Sequence, residues 1–221
     1  MMDRIIELAP QINKALGQTF YMMFWTLGVA GVVGIPLGTL LYLIRPGSVM
    51  ERRFPYLVLD AIVNIVRSFP FLILMVAIIP FTRLVMGSSL GTRAVIVPLS
   101  ISAIPDFARL VEQVLVEIDR GVIEMAKSVG ANTRQIIVSV LYREGRSGIV
   151  GATTMITVSF LSYSTVAGLV GGGGIGDFAI RYGYYRYEPA VMVFTVALII
   201  ILVQIVQTLG RVIGRALDKR I

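Results

Sequence analysis

ALGQTFYMMFWTLGVAGVVGIPLGTLLYLI occupies residues 15–44 and contains no charged side chain. An α-helix crosses the hydrocarbon core of a bilayer in about 20 residues, so this run is long enough to span a membrane. Two further uncharged runs, 147–176 and 189–210, meet the same condition. Together the three runs predict an all-α, polytopic membrane protein.

Two weaker apolar runs, 54–82 and 94–118, bring the predicted number of transmembrane helices to five. Both contain charged residues, which inside a membrane usually face protein or a water-filled cavity. These residues are Asp60, Arg67, Asp106, Arg109 and Glu112. The last three are spaced i, i+3, i+6, which predicts local ion pairs on one helix face. We therefore expect structural roles between helices for these charges, in preference to substrate contact.

The composition supports a membrane environment. The chain is 56% hydrophobic and 15% charged, with a mean hydropathy of +0.83, whereas a soluble domain carries about 25% charged residues. We therefore expect membrane lipid to cover its outer surface. The net charge of +7 is better explained by topology signals beside membrane spans than by nucleic-acid binding. Without cysteine or histidine, the chain has no thiol chemistry, and we expect no metal site.

The distribution of Lys and Arg predicts the orientation. Twelve of them lie in the segments 45–53, 119–147 and 211–221, and six lie in the alternate segments. Since the richer side is usually cytoplasmic, the N-terminus is predicted outside and the C-terminus in the cytoplasm. We find no internal repeat in the five predicted spans, so a lined path requires at least two copies of the chain.

The charged segment 119–135 predicts a short amphipathic helix. Its apolar residues recur at helical spacing: Val122, Met125, Ala126 and Val129. Glu124 is expected in the first turn, and Gly130 should end the helix because glycine enters the left-handed region at little cost. Asn132 or Thr133 can cap the apolar helix that follows. The residues alone leave two roles open, an interfacial helix on its own membrane domain or a docking helix for a soluble partner.

Glu124, Ala126 and Gly130 form a pattern, E-x-A-x-x-x-G, that resembles the EAA loop of ATP-binding-cassette (ABC) importer permeases. Four positions depart from that family's pattern: Met125, Val140, Tyr142 and Arg143. The resemblance implies that 119–135 is a coupling loop, in which these three residues contact an ATPase subunit. It also implies that residues 1–221 form a single ABC permease transmembrane domain.

Three longer stretches resemble the methionine-uptake permeases of that superfamily: VRSFPFLIL at 66–74, IPDFARLVEQVL at 104–115 and YSTVAGLVGGGGIGDFAIRYGYYRY at 163–187. The resemblance implies a homodimer in the cytoplasmic (inner) membrane, two ABC ATPase subunits and an extracytoplasmic substrate-binding lipoprotein. It further implies alternating access driven by ATP and magnesium on the partner ATPase, with no catalytic residue or cofactor in this chain. The implied cargo is D- or L-methionine. Another small amino acid as cargo, or a non-ABC secondary transporter, remains the alternative.

The helix before residue 176 carries the candidates for a translocation pathway. In the family this helix lines the path, which makes Tyr163, Ser164, Val166 and Gly168 pathway residues, with Val166 as an apolar gate. The competing interpretation is that the hydroxyls hydrogen-bond within or between helices.

The run Gly171-x-Gly173-x-x-Gly176 satisfies a dinucleotide-binding pattern, but that pattern requires a soluble strand–turn–helix unit. A tight turn at the outer mouth of the pathway or a flexible connector fits better. The tyrosine- and arginine-rich segment RYGYYRYEP at 181–189 indicates either anchoring at the membrane boundary or contact with an external binding protein.

Overall fold

The computed structural model describes residues 2–218, and every regular element within that range is helical. Lys219 and Arg220, which contribute to the predicted cytoplasmic charge, lie outside the described residues. The α-helices are α1 Met2–Glu7, α2 Ala9–Ile44, α3 Arg53–Ser68, α4 Phe71–Ala77, α5 Ile79–Met86, α6 Ile96–Val116, α7 Arg120–Ser128, α8 Thr133–Gln135, α9 Tyr142–Glu144, α10 Arg146–Leu169, α11 Gly174–Phe178 and α12 Pro189–Leu217. Two π-helical segments, Ile136–Leu141 and Ala179–Tyr185, join α8 to α9 and extend α11.

The core of the molecule is the pairing of α2 with α6. Their backbones approach so closely at Gly38 that a Cβ there would lie 2.3 Å from the carbonyl oxygen of Ala108. Small residues permit this kind of approach between membrane helices, where packing rather than hydrophobic burial drives association. Phe107, Val111 and Leu115 of α6 fill the largest buried cluster beside this contact.

Among the described residues, three helices are long and apolar enough to cross a membrane: α2, α10 and α12. α3 and α4 meet that test together, as a broken pair, which makes four. α6 has the length of a span, with 21 residues, but it carries the three charges noted above. The prediction of an all-α polytopic protein is therefore confirmed, while the number of five spans stays a prediction.

The largest difference from the sequence prediction lies in the run 54–82. We expected one span there, but the chain forms three short helices, and α3 and α4 are bent by 100°. The bend follows from Pro70, because a proline disfavours helical geometry in the residue before it. Phe69 accordingly takes extended angles, φ −76° and ψ 129°.

The ends of the other predicted spans shift as well. α2 begins at Ala9, before Lys14, and α12 continues to Leu217. The run 147–176 is not one helix, because α10 ends at Leu169 where the glycine-rich turn begins. Charge-free length therefore locates these helices but does not fix their ends.

Candidate functional site

α7 and the turn after it form the candidate docking element. The Asp119 side chain caps the helix by accepting a hydrogen bond from the Gly121 amide at 2.6 Å. At the other end Gly130 has φ +80°, and the Ala131 amide donates to the Ala126 carbonyl at 3.0 Å. This is the left-handed helix ending that glycine favours. The predicted role of Gly130 as the end of the helix is confirmed.

The buried face of α7 differs from the predicted stripe. Ile123 is the residue that packs into the core, with 6% exposure, whereas Met125 and Val129 are 64% and 80% exposed. Ala126 is half-buried against the same core. The four spaced residues were predicted as one apolar stripe, but α7 presents Ile123, which is not among them, to the protein. Two large apolar side chains are consequently left on its outer surface.

Glu124 also lies elsewhere than expected. α7 begins at Arg120, so Glu124 is its fifth residue rather than part of the first turn. A favourable interaction with the helix N-terminus falls off within the first turn and does not explain this carboxylate. Glu124 is exposed, so it is available to a partner's basic group.

The segment after Gly130 fastens α7 to the membrane domain. Asn132 and Gln135 form a reciprocal capping box with bonds of 2.9 and 2.8 Å, which confirms Asn132 as a helix cap. Ile136 and Leu141, at the two ends of the π-helical segment, are buried in the main core. Tyr142, one of the departures from the EAA pattern, shares a 2.9 Å hydrogen bond with Thr39 of α2.

A polar network joins α3 to α6. Arg109 binds Asp60 at 2.5 Å and Glu112 at 2.6 Å, and it contacts Asn64 at 3.0 Å. This arrangement satisfies charges from two helices at once. The predicted local pair between Arg109 and Glu112 is present, and the expected interhelical role of these charges is confirmed.

Arg67 extends the same network toward α10. It binds Asp106 at 2.8 Å, so Asp106 pairs with α3 rather than with Arg109 on its own helix. The Tyr163 hydroxyl donates to the other oxygen of Asp106 at 3.4 Å, and its ring stacks on Phe71 at 4.9 Å. Tyr163 therefore connects the polar network to the first helix after the bend.

The other predicted pathway residues divide into two groups. Val166 is half-buried beside the cluster that contains Phe71 and Met75. Ser164 is buried and bonds to the Leu161 carbonyl of its own helix at 2.9 Å. A Cβ on Gly168 would lie 2.6 Å from the Asp177 amide nitrogen. Ser164 and Gly168 therefore contact packed protein in this conformation, and their role as pathway residues stays a prediction.

The glycine-rich turn is held in place rather than flexible. Gly173 and Gly174 have φ +76° and +89°, and the Gly174 amide donates to the Gln18 side chain at 3.0 Å. The next amide, that of Ile175, donates to Thr19 at 2.9 Å. No strand precedes this turn within residues 2–218, so the geometry favours a tight turn over both the nucleotide-binding unit and the connector.

The aromatic segment beside this turn has one long-range anchor. Arg4 of α1 binds Glu188 at 2.8 Å, and the guanidinium lowers the pKa of the Glu188 carboxyl from its usual value. Sequence reasoning missed this pair because 184 residues separate its members. Tyr184, Tyr185 and Tyr187 are exposed, which suits both boundary anchoring and contact with a partner.

Comparison with known proteins identifies relatives over nearly the whole chain. The model for the binding-protein-dependent transport system inner membrane component family matches residues 34–221. A Vibrio cholerae protein, a probable D-methionine transport system permease protein MetI, is 47% identical over 206 residues, which cover 93% of this chain and 92% of that protein. The D-methionine transport system permease protein MetI of Escherichia coli K12 is 42% identical over 155 residues, covering 70% of this chain and 71% of that protein.

Solved structures show the same arrangement. An inward-facing conformation of the MetNI methionine ABC transporter aligns with a TM-score of 0.94 and 40% identity, covering 99% of this chain and 100% of that one. An amino acid ABC transporter with histidines aligns with a TM-score of 0.77 over 96% of this chain and 97% of that one. At 16% identity, the second likeness concerns the fold alone.

Proposed function

The chain belongs to the family of inner membrane components of binding-protein-dependent transport systems, and from this membership we propose that it is the permease subunit of an ATP-driven importer. Its working form is a homodimer with two ABC ATPase subunits and an extracytoplasmic substrate-binding protein. The chain supplies no catalytic residue, and the partner ATPases bind ATP and magnesium.

The exposed face of α7 is the observation that carries this proposal. A helix resting only on its own domain would bury its large apolar residues, yet Met125 and Val129 point outward. Exposed apolar side chains on a rigid helix are typical of a surface that another protein covers. Ile123 meanwhile fixes α7 to the core, so a force applied to the helix is transmitted to the membrane domain.

The proposed mechanism is alternating access. ATP binding brings the two ATPases together, and each ATPase moves the α7 docked on it. Glu124, Ala126 and Gly130 serve this coupling: Glu124 offers a charge, Ala126 a close contact and Gly130 the sharp turn. The permease dimer then opens outward to receive substrate, and hydrolysis returns it to the inward-facing state.

Methionine, as the D- or L-enantiomer, is the proposed cargo. It is supported by the names of the relatives, which match along 70% or more of the chain, and by the fold shared with the MetNI transporter. A related small amino acid is the alternative cargo, and competition for uptake distinguishes the two.

Tyr163 and Val166 are the proposed pathway residues of this chain. Both are half-buried at the junction between α10 and the bend of α3 and α4. A single cysteine at 166 in this cysteine-free chain should react with a small reagent in one nucleotide state and be protected in another. Equal protection in every state would remove Val166 as a gate.

Uptake in proteoliposomes tests the function. The permease, its ATPase and its binding protein should together accumulate labelled methionine only when ATP is supplied on the ATPase side. Unlabelled amino acids, added as competitors, define the cargo. Uptake driven by an ion gradient without ATP would contradict the proposal and favour a secondary transporter.

Cysteine labelling tests the orientation. Single cysteines at Ser48 and Ser128 should resist an impermeant external reagent in intact cells and react after the membrane is opened. Labelling of either position from outside would reverse the orientation and place α7 away from the ATPases.

A further inference from the structure

A small cavity lies between α7 and the turn that follows α2. Its volume is about 140 Å³, and its wall includes Tyr42, Ser48, Ile118 and Ile123. Pockets for drug-sized ligands measure about 300–1,000 Å³, so this space suits a small ion or one end of a larger molecule. Of the three residues proposed above to couple α7 to the ATPase, Glu124 lines this cavity, whereas Ala126 and Gly130 do not.

The charged wall of the cavity is mainly basic. It consists of Arg45, Arg120, Lys127 and Glu124. Within residues 2–218, none of the three cations makes a side-chain hydrogen bond or an ion pair. Several unneutralised cations around one concave surface create a positive potential that attracts anions.

The neighbouring carboxylates are engaged elsewhere. Glu51 accepts a hydrogen bond from the Gly47 amide at 3.1 Å and binds Arg53 at 3.1 Å, and these bonds lower the pKa of its carboxyl. Asp119 caps α7. Glu51 and Asp119 are therefore bound to other donors, and the wall itself combines three cations with one carboxylate, that of Glu124.

A hydroxyl also lies in the wall. Ser48 Oγ is buried, and its polar neighbour is the Tyr42 hydroxyl. A hydroxyl both donates and accepts hydrogen bonds, so Ser48 can serve Tyr42 and still donate to a ligand in the cavity. Two guanidiniums, an ammonium and a hydroxyl together are a suitable donor set for the oxygens of a phosphate group.

We propose that this cavity binds a phosphate-bearing anion at the membrane surface. α2 ends at Ile44 and α6 at Val116, and the cavity lies where these two helices leave the apolar region. Either an anionic phospholipid headgroup or a free phosphate can reach that level. The site is separate from the cargo pathway and adds a ligand to the transport function proposed above.

Ligand titration of the intact transporter, permease dimer with ATPases, tests the site. Short-chain phosphatidylglycerol, short-chain phosphatidylcholine and inorganic phosphate are added separately, and bound ligand is measured by native mass spectrometry. We expect Arg45→Gln and Arg120→Gln each to weaken binding about fivefold, the contribution typical of one basic residue near an anionic lipid surface. Arg134→Gln is the control, because Arg134 is exposed on the same predicted side but does not line the cavity.

The ligand whose binding weakens in Arg45→Gln and Arg120→Gln shows where the bound phosphate group comes from. Loss confined to phosphatidylglycerol supports a lipid headgroup, and loss confined to inorganic phosphate supports a soluble anion. Arg45→Lys keeps the positive charge and should retain binding. If Arg45→Gln does not assemble with the ATPases, the binding measured for Arg120→Gln alone tests the site. Equal binding by Arg120→Gln and Arg134→Gln would overturn the proposal. Binding that appears only after the ATPases are removed would overturn it as well, because a protein partner would then fill the cavity.

Discussion

Two glycines, one after α7 and the other in α11, are required for different reasons. Gly130 ends α7 with φ +80°, and a Cβ added there would meet nothing within 4 Å. Gly176 lies in α11, where a Cβ would be 2.3 Å from the Cα of Thr165. The first glycine is required by its backbone conformation, and the second by the contact between two helices.

The contrast distinguishes a packed contact within the chain, between α10 and α11, from an exposed surface on α7 where a partner is proposed to dock. Around Gly176 the backbone and side chain of Thr165 already occupy the space, so a larger residue disturbs the fold directly. Around Gly130 there is open space beside two exposed apolar side chains. A larger residue there should leave the permease folded and instead disturb whatever docks on α7.

The largest effect is expected from Gly130→Arg. The new side chain occupies the docking surface, and we expect the variant to lose the ATPase on purification, or to keep it and lose ATP-driven uptake. Gly130→Ala is the comparison: its methyl group costs about 1–2 kcal/mol in the left-handed region but fills little of the surface. Normal ATPase binding and uptake by Gly130→Arg would show that α7 is not the coupling element.

The next largest effect is expected from Gly176→Ala. Because the added carbon overlaps the backbone of α10, α11 has to move, and overpacking of this kind costs about 1–3 kcal/mol. Thermal unfolding of the purified dimer measures the loss. Gly17→Ala on α2 is the control, since nothing lies within 4 Å of its added carbon. Equal melting temperatures for the two variants would contradict the packing argument.

A smaller effect is expected from Glu124→Lys. The carboxylate is exposed and unpaired within residues 2–218, so its expected partner is a basic group on the ATPase. An exposed ion pair contributes about 0–1 kcal/mol, and uptake should therefore fall about two- to fivefold without loss of assembly. Glu144→Lys changes the same charge at an exposed position outside α7. An equal fall in both variants would point to general electrostatics.

The smallest effect concerns the Arg4–Glu188 pair. The folded protein lowers the pKa of Glu188 from 4.5, so the pair stabilises the fold above that pH and the contribution is lost as pH falls through the lowered pKa. Glu188→Gln should melt slightly below the parent at neutral pH, and the difference should shrink as the pH falls below the lowered pKa of Glu188. A difference that persists in acid would mean that the glutamate stabilises the fold by some other contact.

Features set by the local chain could be predicted from the sequence, whereas features set by packing between distant helices could not. The length of the uncharged runs located α2, α10 and α12, because a membrane-spanning helix is long and apolar. Gly130 predicted the end of α7, because that end depends on local backbone conformation. The burial of Ile123 was not predicted, since the helical spacing of four other residues cannot show which side of α7 meets the core. Arg67 and its partner Asp106 lie 39 residues apart, so their pairing required the packing of two helices.

The break between α3 and α4 also constrains what may surround the protein. Ser68, Phe69 and Pro70 are exposed at the break, and a chain that leaves helical geometry stops satisfying all of its own peptide groups. Acyl chains offer no hydrogen bonds to such groups, so irregular backbone at membrane depth is tolerated only against protein or water. Different surfaces of this protomer therefore require different surroundings. Lipid can contact the continuous apolar faces of α2 and α12, but a second protomer or a water-filled space has to lie against the bend.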